Sequence, residues 1–331
     1  MKKNIIFLLL IILAFVSLVS NTKVFDAYIE QHDTVYDMQQ VIPRMDLQMA
    51  IEKNMSYPNI NIYVAPFDVH LGRVYLRDSI FDKAIESFHR ATKANPFLPI
   101  NENYLAETYL RMNQKDSFRF YAKKIFNKMP NHVSHFGYYV KSLEAKNTSV
   151  DLDSAFQKII HKDMKVFWKT YLAGIYNVKN KSPYALNQIK IADSLFPKDN
   201  DIQYIVAANR FGERNIKKNN EATIVADKLA EANDFTAAIK VLKSALKLYP
   251  DNNNTFNKLA TSYFKISKYD SSLHYINKIN LNKFKDLGRY HLIKGINLAN
   301  LDRKKEACNQ IQRSMILKNK EAIKASRVYC N

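Results

Sequence analysis

Residues 71 to 96, LGRVYLRDSIFDKAIESFHRATKANP, carry their apolar and small side chains on two separate faces. Ala84, Phe88 and Ala91 follow an i, i+4, i+7 spacing that places them on one side of a helix ending near Pro96. Leu71, Gly72 and Tyr75 share one side of a helix before it. The polar stretch from Arg77 to Ile80 predicts a turn between the two, so the segment predicts an antiparallel helical hairpin, with Gly72 set against Ala84 where the backbones cross.

A step of about 34 residues repeats the pattern. It lands on Leu105, Ala106, Tyr109 and Pro130, with Phe118, Tyr121, Ala122 and Ile125 in the second helix. A third, less regular hairpin starts near His135 and Phe136, carries Tyr139 and Leu143, and reaches Ala155 and Ile159 after the polar insertion KNTSVDLDS. A fourth holds Leu172, Ala173 and Tyr176, then Ala185, Ile189, Ala192 and Pro197. The phase then breaks. Ile202, Ile205, Val206 and Phe211 form an extra apolar-periodic segment, and Asp201 to Glu231 predicts one long helix or two tightly apposed ones. The array resumes with Val225, Ala226 and Leu229, followed by Ala238, Leu242, Ala245 and Pro250. Phe256, Leu259, Ala260, Tyr263 and Ile276 open the next hairpin. A last one uses Gly295, Leu298, Ala307, Ile311 and Ser314, leaving Glu321 to Tyr329 for a closing helix.

The positions from about residue 65 to 331 resemble the tetratricopeptide repeat (TPR), whose unit has a large-small pair and an aromatic in helix A, a small-large-small face in helix B and a terminal proline. The resemblance implies an all-α fold, a right-handed superhelical solenoid of TPR-like hairpins. The last stretch, DRKKEACNQIQRSMILKNKEAIKASRVYC, is similar to the closing repeat of exported Bacteroidota TPR proteins. YPNINIYVAPFDVHLGRVYL, with NENYLAETYLRM behind it, more weakly resembles the repeat region that accompanies O-antigen ligase and polymerase-type proteins. The multi-spanning part of those proteins has no counterpart in this sequence. What the resemblance implies is an association with surface-polysaccharide assembly or export, not their activity.

Lys2 and Lys3 precede an uncharged run, IIFLLLIILAFVSLVS, from Ile5 to Ser20. Leu18 is a poor fit to the small residue that signal cleavage after Ser20 would need, so an uncleaved inner-membrane anchor is favoured over a signal peptide releasing the body to the periplasm. Either way the lysines stay cytoplasmic and the body faces the periplasm. The expected organisation is anchor or signal at 1–22, a linker or helical segment at 23–64, a front repeat block at 65–198, and the long helix with a back block at 199–331.

A formal charge of +19 raises the question of nucleic acid. The lysines are scattered instead of forming a block, and an exported body is removed from cytoplasmic nucleic acid, so no nucleic-acid partner is expected. No enzyme, cofactor or metal site is expected either. His132 and His135 lie close together without a nearby carboxylate or cysteine. With 6 glycines there is no Gly-rich phosphate loop, and Ser117 and Ser154 fit helix starts better than nucleophiles.

A binding groove remains. In a solenoid of hairpins the A helices line a concave face, and the register leaves Arg73, Arg77, Asn103, Arg111, Lys141, Asn257 and Lys265 free of the core. Their cationic bias favours a protein partner presenting an acidic peptide, with an anionic glycan or membrane surface as the alternative. Cys308 and Cys330 stand where the closing helix returns on the last hairpin. In an exported chain they suit a disulfide; the other reading is two buried reduced thiols.

Overall fold

The computed structural model describes residues 2–37, 46, 49, 65–144 and 146–330. Most of the expected 23–64 segment lies outside the described residues. Among the described residues there are 17 helices and no strand beyond one isolated bridge, Thr148 to Asn180. The chain forms two compact units, one of residues 1–146 and 154–162, the other of 147–153 and 163–331.

The first unit holds α1 (Lys2–Asp37), α2 (Phe67–Arg77), α3 (Phe81–Ala94), α4 (Ile100–Arg111), α5 (Lys115–Lys128) and α6 (Val133–Ser142). The division between the units passes through α7 (Val150–Gln157). The second unit continues with α8 (Lys165–Tyr176), α9 (Pro183–Leu195), α10 (Asn200–Phe211), α11 (Glu213–Glu231) and α12 (Phe235–Leu248). It ends with α13 (Asn253–Lys265), α14 (Tyr269–Asn277), α15 (Leu287–Asn300), α16 (Lys304–Ile316) and α17 (Lys320–Tyr329). The 198/199 division expected from the phase break falls inside this second unit, where α10 packs on both α8 and α11 and carries the stacking across the break.

The regular hairpins complete their cores with the helix that follows. Leu105 of α4 joins Leu71, Tyr75, Ala84 and Phe88 of the first hairpin. Leu259 and Tyr263 of α13 do the same for Ala226, Ala238 and Leu242. The small residues serve as expected, with one change of partner. A Cβ on Gly72 would come within 2.5 Å of the Phe88 ring, so this glycine makes room for Phe88 and not for Ala84. Gly295 is used the same way, against Ile311 at 2.7 Å. Phe88 is fully buried, which is worth roughly 2–3 kcal/mol in transfer terms.

Two backbone devices set the repeat. At the end of helix B the residue before the proline is forced out of the helical region, with φ of −140° at Asn95, −140° at Met129, −125° at Phe196 and −139° at Tyr249. Between helices A and B, the middle residue of a short turn adopts positive φ at Ser79, Asn113, Asn233, Ser267 and Asp302. The next N–H then reaches back to a carbonyl near the helix end: Ile80 to Tyr75 at 2.8 Å, Gln114 to Tyr109 at 2.9 Å, Asp234 to Leu229 at 2.9 Å, Lys268 to Tyr263 at 3.0 Å and Arg303 to Leu298 at 3.0 Å. This is the Schellman closure, and it satisfies helix-end carbonyls that would otherwise be orphaned. No proline follows α16, and there Lys318 takes positive φ while Asn319 N–H reaches Ser314 O at 3.1 Å.

The middle of the chain departs from this plan. In the second unit, residues 147–149 and 177–182 replace the tight turns and pair through Ser149 N–H to Asn180 O at 3.2 Å and Asn180 N–H to Asn147 O at 3.1 Å. Ala173, expected at a small-residue crossing, is exposed, because α8 packs mainly on α10 instead of closing tightly on α9. Val225 is also exposed, at 48%, leaving Ala226 as the buried member of its pair. The Asp201–Glu231 segment is two helices. Gly212, at φ +85°, breaks it between α10 and α11, a conformation that only glycine adopts without strain. Ser117 and Ser154 lie within α5 and α7 and do not cap them; the side-chain caps are Ser182, Asp199, Asp234, Asn252, Asp286 and Asn319.

Candidate binding surfaces

In the first unit the exposed side chains of α2, α4 and α6 lie beside an aromatic wall. Phe88 stacks on Tyr104 at 5.3 Å, and the Arg73 guanidinium stands over the same Tyr104 ring at 5.7 Å. Arg111 donates to Glu107 at 2.5 Å and to the Leu76 carbonyl at 3.4 Å, tying α4 to the end of α2. Burial raises the Tyr138 phenol on α6, Glu107 adds to that and Arg111 opposes it, so α6 shares one electrostatic neighbourhood with α4. Arg77 forks onto its neighbour Asp78 at 2.8 Å. Lys141 is exposed near the end of α6.

Arg73, Arg111 and the α6 aromatic side chain therefore gather on one face, whereas Arg77 turns to its own loop. Asn103 is half-buried, and its Oδ1 has no hydrogen-bond partner among the described residues. In the second unit Asn257, two residues before Leu259 as Asn103 is two before Leu105, has the same buried and unpartnered Oδ1, and Lys265 is exposed at the end of α13.

His132 and His135 meet with ring centroids 4.1 Å apart. Burial first, and the His132 charge second, lower the His135 pKa to about 4, so its imidazole is neutral near pH 7. No group of three or more metal-ligating side chains occurs among the described residues.

The second unit contains a feature that the periodic pattern does not signal. The loop between α14 and α15 runs back toward α9 and α10. Lys283 Nζ donates to Asp193 Oδ1, Arg210 meets the same carboxylate at 3.1 Å, and Lys285 donates to Asn200 Oδ1 at 2.9 Å. Asn253 fixes the start of the loop by donating to Asn280 O at 3.0 Å and accepting from Asn280 N–H at 2.9 Å. These ties border an open cleft of about 930 Å³ whose rim also carries Lys198 and Lys278. Tyr249 borders an adjoining recess, where burial first, then Asp251 and Asp193, raise its phenol pKa against the opposing pull of Arg210. Asp193 and Lys283 are 90 residues apart, so no local motif marks the pairing.

Cys308 and Cys330 are bonded, with Cα atoms 5.4 Å apart, and tie α17 to α16. The adjoining core of Leu292, Ile311, Ala322 and Ala325 is small.

No family model matches the chain, and no curated protein matches it. Solved structures to which it is similar include the TPR domain of P58(IPK), 14% identical over 78% of this chain and 62% of that one, with a TM-score of 0.31. The aligned part thus spans less than two thirds of the P58(IPK) chain. A tetratricopeptide repeat protein from Parabacteroides merdae is 13% identical over 94% of this chain and 97% of that one, with a TM-score of 0.29. The TPR2AB domain of yeast Sti1, in a structure titled as a complex with pHSP90, is 14% identical over 79% and 94% of the two chains, with a TM-score of 0.30.

Proposed function

We propose that this protein is a membrane-tethered TPR-type scaffold that captures an acidic segment of a protein partner on the A-helix face of its first unit. The observation that supports this most directly is the Arg73–Tyr104–Arg111 group. A guanidinium held over a ring can still stack or pair with an incoming carboxylate, while the opposite sides of the same helices are consumed by the core. The tether is the apolar part of α1, Ile5–Asp26, 22 residues with mean hydropathy 2.6, none of it buried and long enough to cross a bilayer. Lys2 and Lys3 before it favour a body on the periplasmic side. The helix continues beyond the apolar span to Asp37, which would carry the repeats away from the membrane surface. The quoted sequence resemblances suggest surface-polysaccharide assembly or export as the setting.

Arg111 also supports the Leu76 carbonyl and Arg77 is paired with Asp78, so the sharper charge-reversal variant is R73E/K141E. It is expected to lose partner recovery after crosslinking in cells while its melting temperature stays close to that of the parent, since exposed charges contribute little to folding. Undiminished recovery would reduce this face to a solvated surface. A C-terminal reporter fusion active in the periplasm is expected for the topology, and a fusion active only in the cytoplasm would overturn it.

A further inference from the structure

We propose that the cleft in the second unit is a binding site for a sugar-sized ligand carrying an oxyanion, a carboxylated or phosphorylated saccharide, and that Asp193 occupies the place of that oxyanion when the ligand is absent. The site is distinct from the first unit's face, and the proposal stands whether or not that face binds protein.

Three observations lead there. The first is charge. Lys198, Arg210, Lys278 and Lys283 border the cleft against Asp193 and Asp251, an excess of cations in a concave, partly desolvated setting where a charge-assisted hydrogen bond is strong. The second is the arrangement of Asp193. Its side chain is only 14% exposed and takes both Lys283 and Arg210, one carboxylate held between two cations from elements far apart in the chain. An arriving carboxylate or phosphate offers the same contacts, so the internal pair keeps the cations aligned and gives way by exchange instead of by reorganisation. The third is the rest of the lining. Amide side chains from Asn200, Gln203 and Asn282 and the rings of Phe211, Tyr249 and Phe256 border the cleft and its adjoining recess. Amides match hydroxyl groups and rings match the apolar face of a pyranose, while a volume of about 930 Å³ suits a ligand of a few sugar units.

The loop that borders the cleft gives the proposal a mechanical side. Lys283 and Lys285 are its two ties to α9 and α10, whereas Asn253 anchors its base through two backbone bonds. Ligand exchange at Asp193 releases one tie and leaves the base fixed, so the loop can admit a ligand without unfolding.

Calorimetric titration of the full chain in detergent tests this with digalacturonate, glucose 1-phosphate, neutral maltose and tetraglutamate as probes. Binding of one or both anionic sugars is expected, weakening as salt rises, with little binding of maltose; the two anionic probes separate a carboxylate from a phosphate ligand. K283Q is expected to weaken the preferred sugar about tenfold, and D193N, which removes the internal competitor and keeps its shape, to strengthen it severalfold. Circular dichroism melting checks that each variant is folded, and an unfolded K283Q leaves the decision to the isosteric D193N. No binding of either anionic sugar, maltose binding equally well, tetraglutamate binding more tightly, or folded D193N binding no better than the parent would each overturn the proposal.

Discussion

The α11–α12 hairpin and the α8–α9 pair lie in the same unit and solve the same joining problem differently. α11 and α12 meet through a short turn in which Asn233 takes φ of 61°, Asp234 caps α12 by accepting from Ala237 N–H at 2.9 Å, and the interface is Ala226, Ala238 and Leu242. The one fully buried polar side chain there, Asn219, stands apart from the turn, donating to Ala245 O at 2.9 Å and accepting from Asn252 Nδ2 at 2.6 Å. Around α8 and α9 the join is a side-chain network. Buried Asp153 accepts from Tyr171 OH at 2.5 Å, from Ser149 Oγ at 3.2 Å and from Ser182 Oγ, while Ser182 N–H donates to Ser149 Oγ at 2.8 Å and Ser182 Oγ caps α9 at Ala185 N–H, 3.0 Å. The apolar hairpin tolerates graded changes in volume. The polar join is all-or-none, because every member is satisfied only while the others are present.

The largest break in that contrast is expected from Asp153→Ala, which leaves the Tyr171 and Ser182 hydroxyls without their acceptor and should cost about 4 kcal/mol. Asn at 153 should recover part of this. Leu242→Ala in the apolar hairpin should cost about 3 kcal/mol by cavity formation. Hydrogen exchange separates the two mechanisms, since D153A should lose protection over 147–182 and L242A over 213–265. Equal loss everywhere in both variants would contradict the distinction.

The closing hairpin adds a covalent version of the join. Replacing Cys308 and Cys330 by serine is expected to cost about 3 kcal/mol, the chain-entropy value for a loop of this size, with the lost protection concentrated in α17. Unchanged protection of α17 in the variant would show that Ala322 and Ala325 hold it without help.

A pH response sharpens the comparison for the first unit. Burial lowers the pKa of His135 to about 4, and burial with Arg73 lowers that of His70 to about 4, against 6.5 for the unfolded chain. Folded values below the unfolded value mean that the neutral forms are stabilising above about pH 6.5, and that this contribution is lost as pH falls through the folded values near 4. About 3 kcal/mol per histidine should disappear between pH 7 and pH 4, and H135Q should flatten that slope in thermal melts. A slope unchanged in H135Q would remove His135 from the account.

The smallest effect concerns the turns. Ser79→Gly and Ser267→Gly relieve side chains held at φ of 60° and 58° and should each stabilise by about 0.5 kcal/mol. Destabilisation would show that the serine side chains serve the turn.

The parts that were legible in the chain are those written in one residue. Pro96, Pro130, Pro197 and Pro250 end their helices through the residue before them, and Gly72 and Gly295 mark close approaches, so hairpin count and periodicity could be read directly. The positive-φ positions could not, because Ser, Asn and Asp share them and none carries glycine's signature. Ala173 misled because small-residue spacing was kept where the α8–α9 packing was not. Of the surface, Arg73 and Lys141 are exposed as the register places them, but the register cannot show that Arg77 would pair with the adjacent Asp78, that Arg111 would bind a carbonyl of the preceding hairpin, or that Lys283 would meet Asp193. Those depend on rotamers and on contacts far apart in sequence.

On the proposed function, the A-helix face of the first unit is the one that meets a partner. Photocrosslinking in cells tests it with a reactive residue placed singly at Arg73 or Lys141 on that face and at Lys123, which is exposed on α5. Discrete protein adducts are expected from positions 73 and 141 and none from 123. Adducts from 123 alone, or none from 73 and 141, would contradict it.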